Sequence, residues 1–190
     1  MKPLILASAS PRRLQLLAQI GLAATVMAAD IDETPQAAEN DRDYVLRMAA
    51  GKARAIAMQR PDALVLAADT VISLDGRLIG KPRDRDDAFA IWRALSGRCH
   101  QVLSAVALLD DGRLQTAISC SEVQFAVLDA TDMAAYWDSG EPQDKAGAYA
   151  IQGLAACWIS EIRGSYSGIM GLPLFETAQL LGKAGVRIVS

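Results

Sequence analysis

The chain has little histidine, little cysteine, no dominant charge and no long apolar run, and each shortage removes a class of protein. His100 is the one histidine among 190 residues. Multi-histidine metal centres are therefore excluded, and a Ser-His-Asp triad would have to use that single ring; a packed or hydrogen-bonded His is the simpler reading. Cys99, Cys120 and Cys157 are odd in number, widely spaced and without a CxxC pair. That pattern argues against a disulfide framework and a zinc site, and fits reduced thiols in a cytoplasm. Nineteen basic residues face 22 acidic ones, a net charge of −3, which speaks against a protein gripping nucleic acid through its backbone and leaves room only for a local basic site. No apolar run approaches the roughly 20 residues of a membrane span, and the N-terminus has one Lys before a strand-length apolar run. The expectation is a soluble, cytoplasmic chain.

What is present is a hydrophobic content of 52%, enough to bury a core in one domain or two closely packed lobes. No repeat, low-complexity tract or linker divides the chain, so residues 1–190 are read as a single domain. Its centre is the stretch from Leu64 to Pro82. Leu64, Val65, Leu66, Ala67 and Ala68 form an apolar run that fits a strand buried on both faces, although periodicity alone also allows a buried helix segment. Thr70 to Leu74 continue the extended, β-branched character, and Asp75-Gly76 is a hairpin dipeptide. Asp69 thus falls inside an apolar segment. Burying an unpaired carboxylate costs several kcal/mol, roughly, so Asp69 needs a metal, a cation or a proton. It is either a structural Asp that caps a helix or accepts backbone N–H groups, or a catalytic or metal-binding one.

Around this centre lie loops with chemistry in them. Leu4 to Ala7 read as a first strand, followed by Ser8-Ala9-Ser10-Pro11 and a helix for which Ser10 is the expected cap and Pro11 the first residue. Hydroxyls, helix-start N–H groups and the guanidiniums of Arg12 and Arg13 then share one strand-to-helix turn, which is equipment for an anion such as phosphate. Asp30 to Pro35 is an acidic loop that can be ordinary or can supply a hard-cation ligand. Asp43 to Gln59 has helical spacing with Lys52 along it, and Lys81 sits between Gly80 and Pro82. Two long strand segments, His100 to Leu109 and Leu114 to Leu128, flank the hairpin signal Asp110-Asp111-Gly112 and read as structural. Gly140 to Gly153 is glycine-rich, with Lys145, Tyr149 and Gln152, as if backbone lay close to a ligand. Ala156 to Ile162 read as a strand, Arg163 to Gly168 as a loop, and Leu172 to Leu181 as a helix.

Taken in order, Ser8-Ala9-Ser10-Pro11-Arg12-Arg13, Asp32-Glu33-Thr34-Pro35, Ala67-Ala68-Asp69-Thr70, Gly80-Lys81-Pro82, Ser96-Gly97 with His100, Asp144 to Tyr149 through Gln152-Gly153, and Gly164-Ser165-Tyr166 before Gly171-Leu172-Pro173 resemble the Maf family. These septum-formation-inhibitor-like proteins hydrolyse nucleoside triphosphates to monophosphate and pyrophosphate. Arg12, Thr70 and Gln152 resemble the dTTP/UTP branch, whereas the 7-methyl-GTP branch carries Trp, Gln and Glu there. This chain has Gly168 where relatives often have Asn. The resemblance implies an α/β, two-lobed fold around an elongated mixed sheet, with the nucleotide in the cleft between lobes, and a homodimer.

It also implies roles. Asp69 would be the general base, and Glu33 with Asp69 would hold Mg²⁺ or Mn²⁺. Ser8, Arg13, Lys52 and Lys81 would bind the phosphate chain, while Arg12, Thr70 and Gln152 would select the base. Function would lie in nucleotide pool cleaning or cell division arrest. A non-catalytic nucleotide-binding regulator of division is the alternative, separable by pyrophosphate release. A nucleic-acid-binding protein is a third, with salt-dependent binding as its sign.

Overall fold

The computed structural model describes residues 2–188; Met1, Val189 and Ser190, at the ends of the expected unit, lie outside them. Its strands are β1 (Leu4–Leu6), β2 (Thr25–Val26), β3 (Leu64–Leu74), β4 (Arg77–Ile79), β5 (Cys99–Asp110), β6 (Arg113–Phe125) and β7 (Ile159–Arg163). Its helices are α1 (Pro11–Gln19), α2 (Asp41–Gln59), α3 (Arg85–Leu95), α4 (Ala130–Asp138), α5 (Tyr166–Met170) and α6 (Leu174–Lys183). The strands form one seven-stranded sheet in the order β2-β1-β3-β5-β6-β7, with β4 paired to β3. β1 runs parallel to both β2 and β3, and the remaining pairs are antiparallel, so the sheet is mixed as expected.

The apolar run of β3 is buried because both faces of the sheet are covered. On one face α2 lays Val45, Ala49, Ala53 and Ile56 over Val65, Ala67 and Val71 of β3 and Leu103, Ala105 and Ala107 of β5. On the other face the core is in two parts. Leu66, Ala68, Val106 and Leu108 pack beneath α1 and α6 through Leu16, Leu17, Leu180 and Leu181. Ile72, Leu74 and Val102 pack beneath α3 and α4 with Trp92, Phe125, Tyr136 and Tyr149. Each fully buried Leu, Ile or Phe contributes about 1.5–3 kcal/mol. Between these two clusters, on the same face, stand Thr70 and Ser104, directly opposite one another in the β3–β5 register. The two lobes are these two clusters on one continuous sheet.

Register is fixed at both hairpins. Asp75 and Gly76 have φ of 53° and 74°, and Asp111 and Gly112 have 45° and 76°, the paired left-handed residues that a tight hairpin turn needs and that Asp-Gly supplies readily. Side-chain caps start α2, α3 and α4: Asn40 accepts from Asp43 N, Asp84 from Asp87 N, and Asp129 from Thr131 N and Asp132 N.

Three expectations are corrected. Ala156–Trp158 are not strand; Leu154–Trp158 form a 3₁₀ turn, because Ala155 buries inward while the Trp158 ring packs 5.3 Å from that of Tyr136, and the strand begins at Ile159. The loop after Arg163 contains α5, started by Ser165, whose hydroxyl accepts from Gly168 N. Ser10 precedes α1 but makes no side-chain cap bond. Instead its own N–H donates to Ser8 Oγ at 3.1 Å.

Candidate active site

The site begins as a gap in the sheet. β5 pairs along one flank of β3, and the opposite flank is shared by two short strands: β1 pairs at Leu64–Leu66 and β4 at Ile72–Leu74. Between them, Ala67 to Val71 has no strand neighbour on that side. A cleft of about 620 Å³ opens there, and Ser8, Arg12, Arg13, Glu33, Lys52, Asp69, Thr70, Lys81 and Gln152 all line it. The nine residues to which the resemblance assigned a role are therefore brought to one place, from segments spread over the chain.

Successive strand residues face opposite sides, so Asp69 and Thr70 divide the cleft. Asp69 lies on the α2 side. Lys52, on α2, places Nζ 2.7 Å from Asp69 Oδ1 and 2.7 Å from Glu33 Oε1. The Lys52 and Asp69 side chains are each only 12% exposed, against 57% for Glu33. Asp69 thus has the cation that its burial required. Glu33 belongs to the acidic loop, which α2 fastens from below: Tyr44 OH donates to Glu33 O at 2.8 Å and Arg47 donates to Thr34 O at 3.0 Å. Arg47 also holds the Glu39 carboxyl well below its usual range, at about 2. Desolvation, with the charges of Asp69 and Glu33, raises the Tyr44 pKa.

The turn from β1 into α1 supplies the next wall. Arg13 donates from Nε to Gly171 O at 2.8 Å and from a terminal nitrogen to Ser8 Oγ at 3.0 Å. Burial pulls its pKa down, against the pull of Asp69, but a guanidinium stays charged at any physiological pH. A Cβ on Gly171, where φ is 120°, would stand 3.4 Å from Arg13 Nε and 3.7 Å from Thr70 Oγ1. The space would admit a Cβ, and it is the left-handed φ that calls for glycine there. With no acidic residue in its first turn and no cap bond from Ser10, α1 presents its N-terminus to the cleft, where an anion is favoured.

The glycine-rich loop closes the far side. Gly147 N donates to Gly80 O at 2.9 Å, joining this loop to the Lys81 turn. Gly147 has φ of 69°, a left-handed conformation that suits glycine, and a Cβ there would fall 2.3 Å from Ile72 Cδ1, which would have to move. Trp92 Nε1 donates to Ala148 O at 2.8 Å, and Tyr136 OH accepts from Ala150 N at 3.1 Å. Gln152 is set on this braced loop. Among the described residues, Arg12, Lys81 and Gln152 have no side-chain hydrogen-bond or ion-pair partner, so all are available to a ligand.

Further charged or polar side chains line the cleft, among them Tyr44, which nothing in the sequence singles out, and Asp144 and Lys145, noted there only as part of the glycine-rich stretch. Lys145 hydrogen-bonds Asp144, holding that carboxyl below its usual range. Five cationic side chains then face three carboxylates around the cleft, an excess of positive charge within a chain of net −3. The basic character is local, as a phosphate-binding cleft requires. His100, by contrast, is core: its Nε2 lies 2.8 Å from Tyr149 OH and its ring packs edge-on against Phe125 and Tyr149. No triad uses it.

Several known chains are similar to this one over nearly its whole length. A "dTTP/UTP pyrophosphatase" of Bordetella avium is 53% identical over 194 residues, covering 97% of this chain and 96% of that protein. One of Aromatoleum aromaticum is 51% identical, covering 97% and 98%. A third, of Methylobacillus flagellatus, is 49% identical, covering 99% and 96%. Among solved structures, the Staphylococcus aureus Ham1 protein is 15% identical with a TM-score of 0.45, covering 66% of this chain and 72% of that one. The model of the Maf-like protein family matches residues 3–184, a span that takes in every side chain of the cleft, and the chain belongs to the Maf family.

Proposed function

We propose that this chain hydrolyses dTTP and UTP to the monophosphate and pyrophosphate, the activity named for its relatives. The observation that supports it is Asp69: a carboxylate held by Lys52 at 2.7 Å, in the notch of the sheet, with a surplus of cations around it. Water attacks the α-phosphorus, forming a new P–O bond while the α–β bridge breaks, and the electron pair leaves with pyrophosphate. Asp69 takes the water's proton. Ser8, Arg13, Lys52 and Lys81 stabilise charge along the phosphate chain, and Arg12, Thr70 and Gln152 bind the base. The carboxamide of Gln152 offers both a donor and an acceptor to a uracil or thymine edge.

A divalent cation fits this donor set. Glu33 and Asp69 already converge on one positive charge, Lys52 Nζ, and a pair of hard carboxylates completed by phosphate oxygens is how Mg²⁺ is commonly held. Bound there, Mg²⁺ or Mn²⁺ would neutralise phosphate charge and polarise the attacked phosphorus.

Residues 1–190 act as one pyrophosphatase unit in this proposal, as a homodimer, in the reducing cytoplasm that three free thiols suit, cleaning the nucleotide pool or arresting division. No described helix is long and apolar enough to cross a membrane. Cations gathered inside a cleft serve a small ligand better than a nucleic acid. The test is a nucleotide panel with Mg²⁺ or Mn²⁺, scored for both products. dTTP and UTP should turn over much faster than ATP, GTP or 7-methyl-GTP; orthophosphate as the first product, or preference for 7-methyl-GTP, would overturn the proposal.

A further inference from the structure

Thr70 and Ser104 interrupt two apolar clusters, and a polar seam inside a core calls for a reason. Thr70, Ser104 and Ser119 are cross-strand neighbours on β3, β5 and β6, so their hydroxyls share one face, beneath α5. Ser104 is 1% exposed. Its Oγ donates to Gly168 O at 2.6 Å and lies 2.7 Å from Thr70 Oγ1. A carbonyl can only accept, and a serine hydroxyl has one proton. That proton is spent on Gly168. In the contact with Thr70, the donor must then be Thr70.

We infer that Ser104 is a positioning residue that sets the hydrogen-bond polarity of the base pocket, leaving Thr70 Oγ1 with only lone pairs to offer the cleft. An acceptor suits the imide N3–H of uracil or thymine. It faces the bare N3 of cytosine lone pair to lone pair, and a buried polar group left unpaired is penalised. Gly168 belongs to the same device. A Cβ at that position would stand 3.1 Å from Ser165 Cβ and 3.4 Å from Ser119 Oγ, a tight fit that glycine relieves while its carbonyl takes the Ser104 proton. This inference deepens the proposed function, since it rests on the base reaching Thr70.

The experiment compares UTP with CTP, and with 3-methyl-UTP, which lacks the imide proton. Calorimetric affinity is measured beside kcat/KM in the unaltered chain, in Ser104→Ala and in Thr70→Val. The unaltered chain should favour UTP over both analogues by about 10-fold or more. In Ser104→Ala the Thr70 proton is freed to meet cytosine N3, and the UTP-to-CTP ratio should fall about 10-fold, chiefly by a gain with CTP. Thr70→Val, which keeps the shape without the oxygen, should weaken UTP and spare CTP. An unchanged ratio in Ser104→Ala, or an equal loss for both nucleotides as a merely structural seam would give, overturns the inference; should Ser104→Ala not fold, an unchanged ratio in Thr70→Val does so. A ratio that shifts in affinity without any pyrophosphate release would retire the proposed reaction and leave the polarity standing.

Discussion

Lys52 is where stability and chemistry are most tightly joined, and Lys52→Met tests both. Methionine keeps much of the apolar stem along α2 and removes the charge that Asp69 and Glu33 share at 2.7 Å each. Two unit charges about 5 Å apart repel by about 3 kcal/mol at an effective dielectric of 20. Breaking a buried pair by deleting one partner costs about 3–5 kcal/mol. Here the Glu33 side chain is 57% exposed, so water screens its share, and the loss comes mainly through Asp69. A destabilisation of about 2 kcal/mol is expected, which at a urea slope near 2 kcal/mol/M moves the unfolding midpoint down by about 1 M. The assay is urea unfolding in metal-free buffer, repeated with Mn²⁺. The ion should restore more stability to the variant than to the unaltered chain, because the variant's two carboxylates have no other cation. A variant midpoint equal to that of the unaltered chain in metal-free buffer would refute the electrostatic account of the site.

Three further outcomes are expected. Asp69→Asn should keep the fold and lower turnover by about 10²–10⁴, the usual worth of a general base; a near-normal rate would place the base elsewhere. Activity should vanish in excess chelator and return with Mg²⁺ or Mn²⁺, and undiminished turnover in chelator would remove the metal from the proposal. His100 should sensitise the fold to acid. Burial lowers its pKa to about 4, below the unfolded value near 6.5, so the unfolded chain takes the proton first. The stability at stake, at most about 3 kcal/mol, is present above pH of about 6.5 and is lost as pH falls toward 4. His100→Gln should flatten that dependence in urea midpoints compared at pH 7.5 and 5, and parallel curves would show that other groups carry it.

Some of this was legible in the sequence because short-range physics decides it. The β3 run, both Asp-Gly turns and the α2 spacing are local signals, and the structure keeps them. The 3₁₀ turn at Leu154–Trp158 was not legible, since what bends it is the burial of Ala155 and the packing of Trp158 on Tyr136, contacts between segments. Ser104 was read as ordinary strand. Its importance comes from standing opposite Thr70 and beneath Gly168, partners 34 and 64 residues away. The notch was invisible for the same reason: nothing local says that β1 and β4 share one flank of β3 and leave a gap between them.

The chemistry is therefore written in register. Asp69 and Thr70 are adjacent in sequence but face opposite sides of the sheet, and the cleft works only if the carboxylate meets Lys52 while the hydroxyl meets Ser104. Because the side-chain period of a strand is two, a slip of one residue between β3 and β5 would carry Thr70 under α2 and thrust Asp69 into the seam between the apolar clusters. The Asp75-Gly76 turn fixes β3 against β4, and Asp111-Gly112 fixes β5 against β6, but neither turn joins β3 to β5. That pairing runs from Val65–Leu109 to Ser73–Gln101. Its register is held by burial on both faces, and at its midpoint by the two polar contacts themselves. Lys52 with Asp69 on one side and Ser104 with Thr70 on the other are satisfied together in only one alignment, so the groups that make the site also specify the sheet that carries it.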